Sequence, residues 1–242
     1  MNTFFNNVLS NKKHKNAFLL GCGSSINDLN DVHIGNMHEN FDIWTSNNFI
    51  IHKKIVPNFY HLEVKPHRNG QLITRLTHEK RDLYKDVSWL LDKTRPYIFD
   101  FLSINDYNHK NFYLYDKAYR KETHGNYLPN DNFASVSANA SMTVISDIIV
   151  RMNYDVIYTL GIDMNTSEYF WTNNSDYNDV IIEDIIKTTK PDERHPKEPH
   201  PTAHMTDYIP EFMRFNNQKI INLSQNSLLK DKITTQTISE IL

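Results

Sequence analysis

Short runs of consecutive apolar residues alternate along this chain with stretches in which apolar positions recur every three or four residues. The runs at 17–21, 42–46, 58–64, 97–102, 112–115, 154–161 and 219–223 predict β-strands. Most are apolar at successive positions, the pattern of strands covered on both faces of a parallel sheet. Between them, 72–91 sets Leu72, Leu76, Leu83, Val87, Leu90 and Leu91 among charged residues, and 138–152 sets Met142, Ile145, Ile148 and Ile149 at near-helical spacing. Both predict helices, as does 207–216 ahead of the last strand. Strands alternating with helices predict βαβ units. The expected fold is α/β: a Rossmann-like, mostly parallel sheet flanked by helices, forming one domain over residues 1–242.

One segment breaks the rhythm. Residues 188–204 (TTKPDERHPKEPHPTAH) hold four prolines and three histidines with no periodicity. Proline is excluded from a helix interior and from a central strand. A long structureless stretch inside a domain suits a binding loop, so a small lid is expected over 169–204. His195, His200 and His204 have a spacing that invites a metal reading. The intervening prolines prevent all three from sharing one helix face, so no metal site is expected.

Composition narrows the partners. A net charge of -3 and a sequence pI near 6.4 exclude the basic footprint of a nucleic-acid binder. The single cysteine, Cys22, allows no intrachain disulfide and suits a reducing compartment. No apolar run has the length of a membrane span, and the first residues do not read as a signal peptide. A cytoplasmic protein is therefore expected; peripheral contact with the inner membrane face and homo-oligomerisation are compatible with this.

The richest chemistry lies at 17–27, AFLLGCGSSIN. A buried strand ending on Gly21, Cys22 and Gly23, followed by Ser24 and Ser25, lets backbone approach a ligand without a Cβ in the way. The N–H groups of the following helical turn favour an anion. The spacing is neither the dinucleotide fingerprint nor the P-loop, so a nucleotide is expected but not in either standard cradle. Cys22 has no Cys–His–Asn signature around it and is expected to line the pocket rather than attack a substrate. Asp163 follows Gly161 and Ile162 at the end of the strand at 154–161. In open α/β sheets ligands bind beyond the carboxyl ends of strands. A carboxylate there suits ribose hydroxyls, a magnesium ion or the cap of a turn. Asn47 follows Trp44-Thr45-Ser46; its amide can read a pyrimidine edge, hold a phosphate oxygen or close an Asx turn. Ser141, near a predicted helix start, suits a carboxylate or phosphate, or simple capping. Glu63 and Lys65, at another strand end, read as a solvated edge. Tyr169 either donates to a departing phosphate or packs in the lid.

Four segments in this order resemble the bacterial sialyltransferases of glycosyltransferase family 42: LLGCGSSINDL, DIWTSNNF, NYDVIYTLGIDM, and AHMTDYIPEFMRF with INLSQNSLL. They run from Leu19 to Leu229. The Gly-rich turn and the Gly-Ile-Asp strand end also occur in a wider group that includes archaeal 6-hydroxymethylpterin diphosphokinases. The resemblance implies a variant Rossmann-like domain that binds CMP-sialic acid without a metal or other cofactor. It would transfer the sugar, with inversion, from this nucleotide-sugar donor to a glycan acceptor. It implies His204 as the catalytic base, Tyr169 as a leaving-group donor, and Gly21–Ser25, Asn47, Ser141, Gly161 and Asp163 as the nucleotide site. Four positions depart from the family pattern: its first-turn asparagine is Cys22, its asparagine after the third strand is His61 or a neighbour, its arginine before the helix is Ala138, and one leaving-group tyrosine is Asn165. The alternatives are a pterin-type diphosphokinase using ATP and magnesium, and a non-catalytic nucleotide- or glycan-binding relative.

Overall fold

A computed structural model describes residues 3–63, 70–92, 111–115, 117–118, 135–136, 141–164, 168–172, 174–177 and 217–242. Seven parallel strands form one sheet: β1 (Asn16–Leu20), β2 (Asp42–Ser46), β3 (Phe59–Leu62), β4 (Ser88–Asp92), β5 (Phe112–Tyr115), β8 (Val156–Leu160) and β9 (Ile220–Asn222). Two further short strands, β6 (Lys117–Ala118) and β7 (Ser135–Val136), pair only with each other. The order across the large sheet is β5-β4-β3-β2-β1-β8-β9. The chain therefore builds outward from β1 to β5, then returns to lay β8 against the other side of β1. In such a sheet the change of direction opens a crevice at the carboxyl ends of the two central strands.

Side-chain alternation sorts the core into two layers. Phe18, Leu20, Ile43, Tyr60, Trp89 and Leu91 face one side, where Met37 of α2 (Asp31–Asn40) and Ile73 and Leu76 of α3 (Gly70–Glu79) cover them. Ala17, Leu19, Trp44, Phe59 and Leu90 face the other side. Val144, Ile145, Ile148 and Ile149 of α4 (Ser141–Val150) cover that face, with Phe4 and Val8 of α1 (Thr3–Leu9). Each such large apolar side chain stabilises the fold by about 1.5–3 kcal/mol on burial.

At the amino end of the sheet, buried Asp42 holds the approach to β1 in place. Its carboxylate accepts the Lys13 amide at 3.1 Å and the Tyr154 hydroxyl at 2.8 Å, and that hydroxyl accepts from the Trp44 indole at 3.1 Å. Burial and the Asp42 charge push the Tyr154 phenol well above its usual range. This end is a polar clamp. The opposite end carries the candidate chemistry.

The expected helix over 72–91 is corrected. The helix α3 stops at Glu79, and residues 88–92 are strand β4. Val87, Leu90 and Leu91 fit a helical spacing, but Trp89, Leu90 and Leu91 are buried in succession, with neighbours facing opposite layers. Leu83, which a helical stripe would bury, is exposed. The apolar pattern does not predict α1 or α2. The helix α2 has a weak apolar stripe and an interior glycine, and Asn30 starts it by accepting the His33 amide at 2.9 Å. The expected strand at 97–102 and helix at 207–216 lie outside the described residues. The expected lid does too from 178 onward, whereas Phe170, Trp171 and Tyr177 at its front pack in the main core. No described helix is long and apolar enough to cross a membrane.

Candidate functional site

The carboxyl edge gathers most of the predicted residues. Leu19 and Trp44 are partners on β1 and β2, and Leu20 and Leu160 are partners on β1 and β8. Gly21–Ser25, Asn47 and Gly161–Asp163 consequently leave three adjacent strands at one level. Adjacent strands lie about 5 Å apart, so these segments form one rim.

The glycines of this rim make room for protein backbone. A Cβ on Gly21 would stand 2.2 Å from the Gly161 carbonyl oxygen. On Gly23 it would stand 2.3 Å from an Asp163 carboxylate oxygen. Gly161 has φ +71°, a left-handed conformation that side chains rarely adopt, and a Cβ there would lie 2.5 Å from the Gly21 carbonyl. The two strand ends are thus pressed together. Gly21 N–H donates to the Leu160 carbonyl at 2.8 Å, and Gly23 N–H to the Gly161 carbonyl at 2.7 Å. The close approach expected toward a ligand is, at these faces, an approach of β1 to β8.

Asp163 is the knot. It is 6% exposed. One oxygen accepts the Ser25 hydroxyl at 2.6 Å and the Ser224 hydroxyl at 2.7 Å, and the other accepts the Ser25 amide at 3.0 Å. The Ser25 hydroxyl also accepts the Gly161 amide at 3.0 Å. Both carboxylate oxygens therefore serve protein donors and tie the Gly-rich turn to the loop after β9. Ser227 adds a hydrogen bond to the Ile162 carbonyl at 2.7 Å. Asp163→Asn is expected to lower stability by about 2 kcal/mol, because the amide that replaces one oxygen must face another donor. The midpoint of urea unfolding checks this, and an unchanged midpoint would refute the role of the knot.

A second group closes on itself. Asn47 takes φ 48°, which asparagine tolerates better than most residues. Its amide nitrogen donates to the Ser141 hydroxyl at 2.7 Å, and its amide oxygen accepts the Glu63 N–H at 2.9 Å. The Ser141 hydroxyl in turn donates to a Glu63 carboxylate oxygen at 2.8 Å. The Tyr60 hydroxyl donates to the Asn47 carbonyl from below. Three residues, just after β2, just after β3 and at the start of α4, thus form one ring. Glu63, expected on a solvated edge, is half-buried and central to it.

The remaining candidates divide. Cys22 packs on the edge of a core layer, and desolvation pushes its thiol up to about 12, so it stays a neutral thiol. Ser24 opens the helical turn Ser24–Asp28. Tyr169 pairs through its backbone with Gly23 and stacks on Trp171 with ring centroids 4.6 Å apart, which sets it beside the Gly-rich turn. His61 is buried at the end of β3, its Nε2 2.5 Å from the Tyr115 hydroxyl. His204, His195, His200, Lys65, Ala138 and Asn165 lie outside the described residues. Among the described residues, no group of three or more His, Cys, Asp or Glu is placed to hold a metal.

Ser224, Ser227 and Glu63 were missed as site residues by sequence reasoning. The first two lie in the INLSQNSLL segment that carried part of the family resemblance, and that was the available signal.

Solved structures of this architecture exist. The sialyltransferase CstII from Campylobacter jejuni, in complex with cytidine-5′-monophosphate, superposes with a TM-score of 0.53 over 93% of this chain and 87% of its own, at 14% identity. The monofunctional alpha-2,3-sialyltransferase Cst-I from Campylobacter jejuni superposes at 0.53 over 93% of this chain and 81% of its own, also at 14% identity. The fold is that of these sialyltransferases. The sialyltransferase CST-II in complex with a trisaccharide acceptor and CMP matches at 0.51 over 91% of this chain and 85% of its own, at 14% identity. No family model matches the chain, and no curated protein does. The shared architecture is the parallel sheet flanked by helices, seven-stranded in this chain.

Proposed function

We propose that this protein is a glycosyltransferase that binds a CMP-activated sugar at the carboxyl edge of its sheet and moves that sugar, sialic acid or a related nonulosonate, to a glycan acceptor. The observation that carries the reading is the 2.7 Å hydrogen bond between Asn47 and Ser141. These residues are 94 positions apart, and the family resemblance assigns each of them to the nucleotide. The fold shared with sialyltransferases crystallised with CMP adds weight.

The chemistry suits the residues. An acceptor hydroxyl forms its bond to the anomeric carbon while the bond from that carbon to the phosphate oxygen breaks, and CMP departs with the electron pair. The reaction inverts the anomeric centre. His204 takes the hydroxyl proton, a task for which imidazole is suited near neutral pH. Tyr169, beside the Gly-rich turn, donates to the departing phosphate as its charge develops. The leaving group is already an anion that protein donors can stabilise, so the step needs no metal. A pterin-type diphosphokinase would instead want carboxylates presented to magnesium, whereas both oxygens of Asp163 already accept protein donors.

Thermal unfolding with ligands tests the reading. CMP at a hundredfold excess over its Kd should stabilise the protein by about 2.7 kcal/mol without added metal. Stabilisation by ATP with magnesium and not by CMP would favour the diphosphokinase. CMP binding with no donor consumed under any condition would favour a non-catalytic relative.

A further inference from the structure

Tyr169 opens a turn at 169–172, closed where the Thr172 N–H donates to the Tyr169 carbonyl at 2.9 Å. Hydrogen bonds at residue 170 attach this turn to the Gly-rich segment and the helical turn after it. The Phe170 N–H donates to the Cys22 carbonyl at 2.9 Å, and the Asn27 amide donates to the Phe170 carbonyl at 2.9 Å. Both bonds meet at one residue, so the rotation of the turn about it is left to side chains. The buried Phe170 ring fixes that rotation. It lies among Phe49, His52 and Tyr177, with ring centroids 5.5, 5.3 and 5.3 Å away, in the tilted and edge arrangements that aromatic pairs favour. His52 is the centre of this cluster, stacking on Phe49 at 5.4 Å and meeting Tyr177 at 6.2 Å. Its Nδ1 accepts the Ile55 N–H at 2.9 Å and the Lys54 N–H at 3.2 Å. The Lys80 ammonium, from the end of α3, donates to the Ile50 and His52 carbonyls at 2.5 and 2.9 Å. Burial first, then the charges of Lys80, Lys54 and His38, push the imidazole down to about 4. Near neutral pH it is an uncharged ring, tied to the main chain on one side and packed on Phe170 on the other.

We infer that His52 is a positioning residue for departure of the leaving group: its ring holds Phe170, and Phe170 holds the turn that keeps Tyr169 beside the Gly-rich segment. This rests on the proposed donation from Tyr169 to the departing phosphate and deepens it by naming what aims that residue. His52 sits in the core and acts through Tyr169. Small errors of aim are costly in such a step, since a misplacement of about 1 Å can cost about a hundredfold in rate.

Release of CMP from CMP-sialic acid, to water or to added lactose, reads this step. His52→Asn removes the ring, while the asparagine oxygen can still accept the Lys54 and Ile55 N–H groups as an Asx turn does. CMP release should fall about tenfold, with CMP affinity by calorimetry staying within about twofold of the wild type. Tyr169→Phe should lose about a hundredfold. Adding His52→Asn to Tyr169→Phe should cost no more than about a further twofold, because the group that His52 aims is already gone. His52→Phe restores a ring and should recover the rate to within about threefold, although two N–H groups lose their acceptor and the melting temperature falls. A merely structural role would give additive losses in the double variant and rates that follow stability across the series. Either result overturns the inference and leaves the transferase reading standing, as does a folded His52→Asn that releases CMP at the wild-type rate. A wild type that releases no CMP from the donor overturns both. If His52→Asn does not fold, Tyr177→Leu removes another ring from against Phe170 and carries the same comparison with Tyr169→Phe.

Discussion

Gly161→Ala is expected to unfold at least about 8 °C below the wild type, or to fail to accumulate as soluble protein. Two costs add. Alanine at φ +71° is strained, and its Cβ would sit 2.5 Å from the Gly21 carbonyl and 2.7 Å from a side-chain carbon of Ile26. The backbone cannot yield, because Gly21 and Gly23 are themselves hydrogen-bonded to Leu160 and Gly161. A loss of about 4 kcal/mol or more belongs to this short list of backbone and overpacking mechanisms. At about 2–4 °C per kcal/mol for a chain of this size, that gives the stated drop. Gly35→Ala is the matched control. Gly35 lies inside α2, and an added Cβ would meet nothing within 4 Å, so alanine should raise stability by about 0.5–1 kcal/mol. Scanning calorimetry of both variants decides the point. A Gly161→Ala protein as stable as the wild type would mean that the two strand ends are not clasped.

His204→Ala is expected to lower turnover about 100- to 10,000-fold, the usual contribution of a positioned base. A sugar hydroxyl gives up its proton reluctantly, so the bond to the anomeric carbon is slow to form unless the proton leaves in the same step. In the proposed reaction the base serves the acceptor hydroxyl and does not bind the nucleotide. CMP affinity should therefore stay within about threefold of the wild type while the rate of CMP release from a CMP-sugar falls, a pattern of lost transition-state binding. Single-turnover measurement with a glycan acceptor checks the rate, and calorimetry checks the affinity. Unchanged turnover would remove His204 from the mechanism. An equal loss in CMP affinity would make it part of the nucleotide pocket instead.

The sheet was readable where a short apolar run stands clear of any helical spacing. The runs at 17–21, 42–46, 112–115 and 154–161 coincide closely with β1, β2, β5 and β8. The strand β4 was hidden because Val87, Leu90 and Leu91 extend the leucine spacing of α3, and a short apolar run does not reveal which period it belongs to. In the site, Asn47 and Ser141 were legible as separate polar residues at element ends, but their meeting depends on the crossover that brings α4 over β2. The glycines announced a close approach without naming what approaches. Glu63 and Ser224 were illegible for a simpler reason. An isolated charged or hydroxyl residue past a strand end looks solvated in sequence, and only the register of neighbouring strands turns it inward.

The knot at Asp163 has a bearing on biosynthesis. Its donors come from Ser25 and Ser224, so the rim at the carboxyl edge needs both the Gly-rich turn after β1 and the loop after β9, which is made much later. A nascent chain emerging from the ribosome can pair β1 with β2 and β3 long before β8 arrives to fill the other flank of β1. Until then the edge of β1 lies open to other chains, and long-range closure of this kind is slow. Slow closure, with an exposed strand edge in the meantime, is the expected consequence of a sheet whose central strand gains its second partner late.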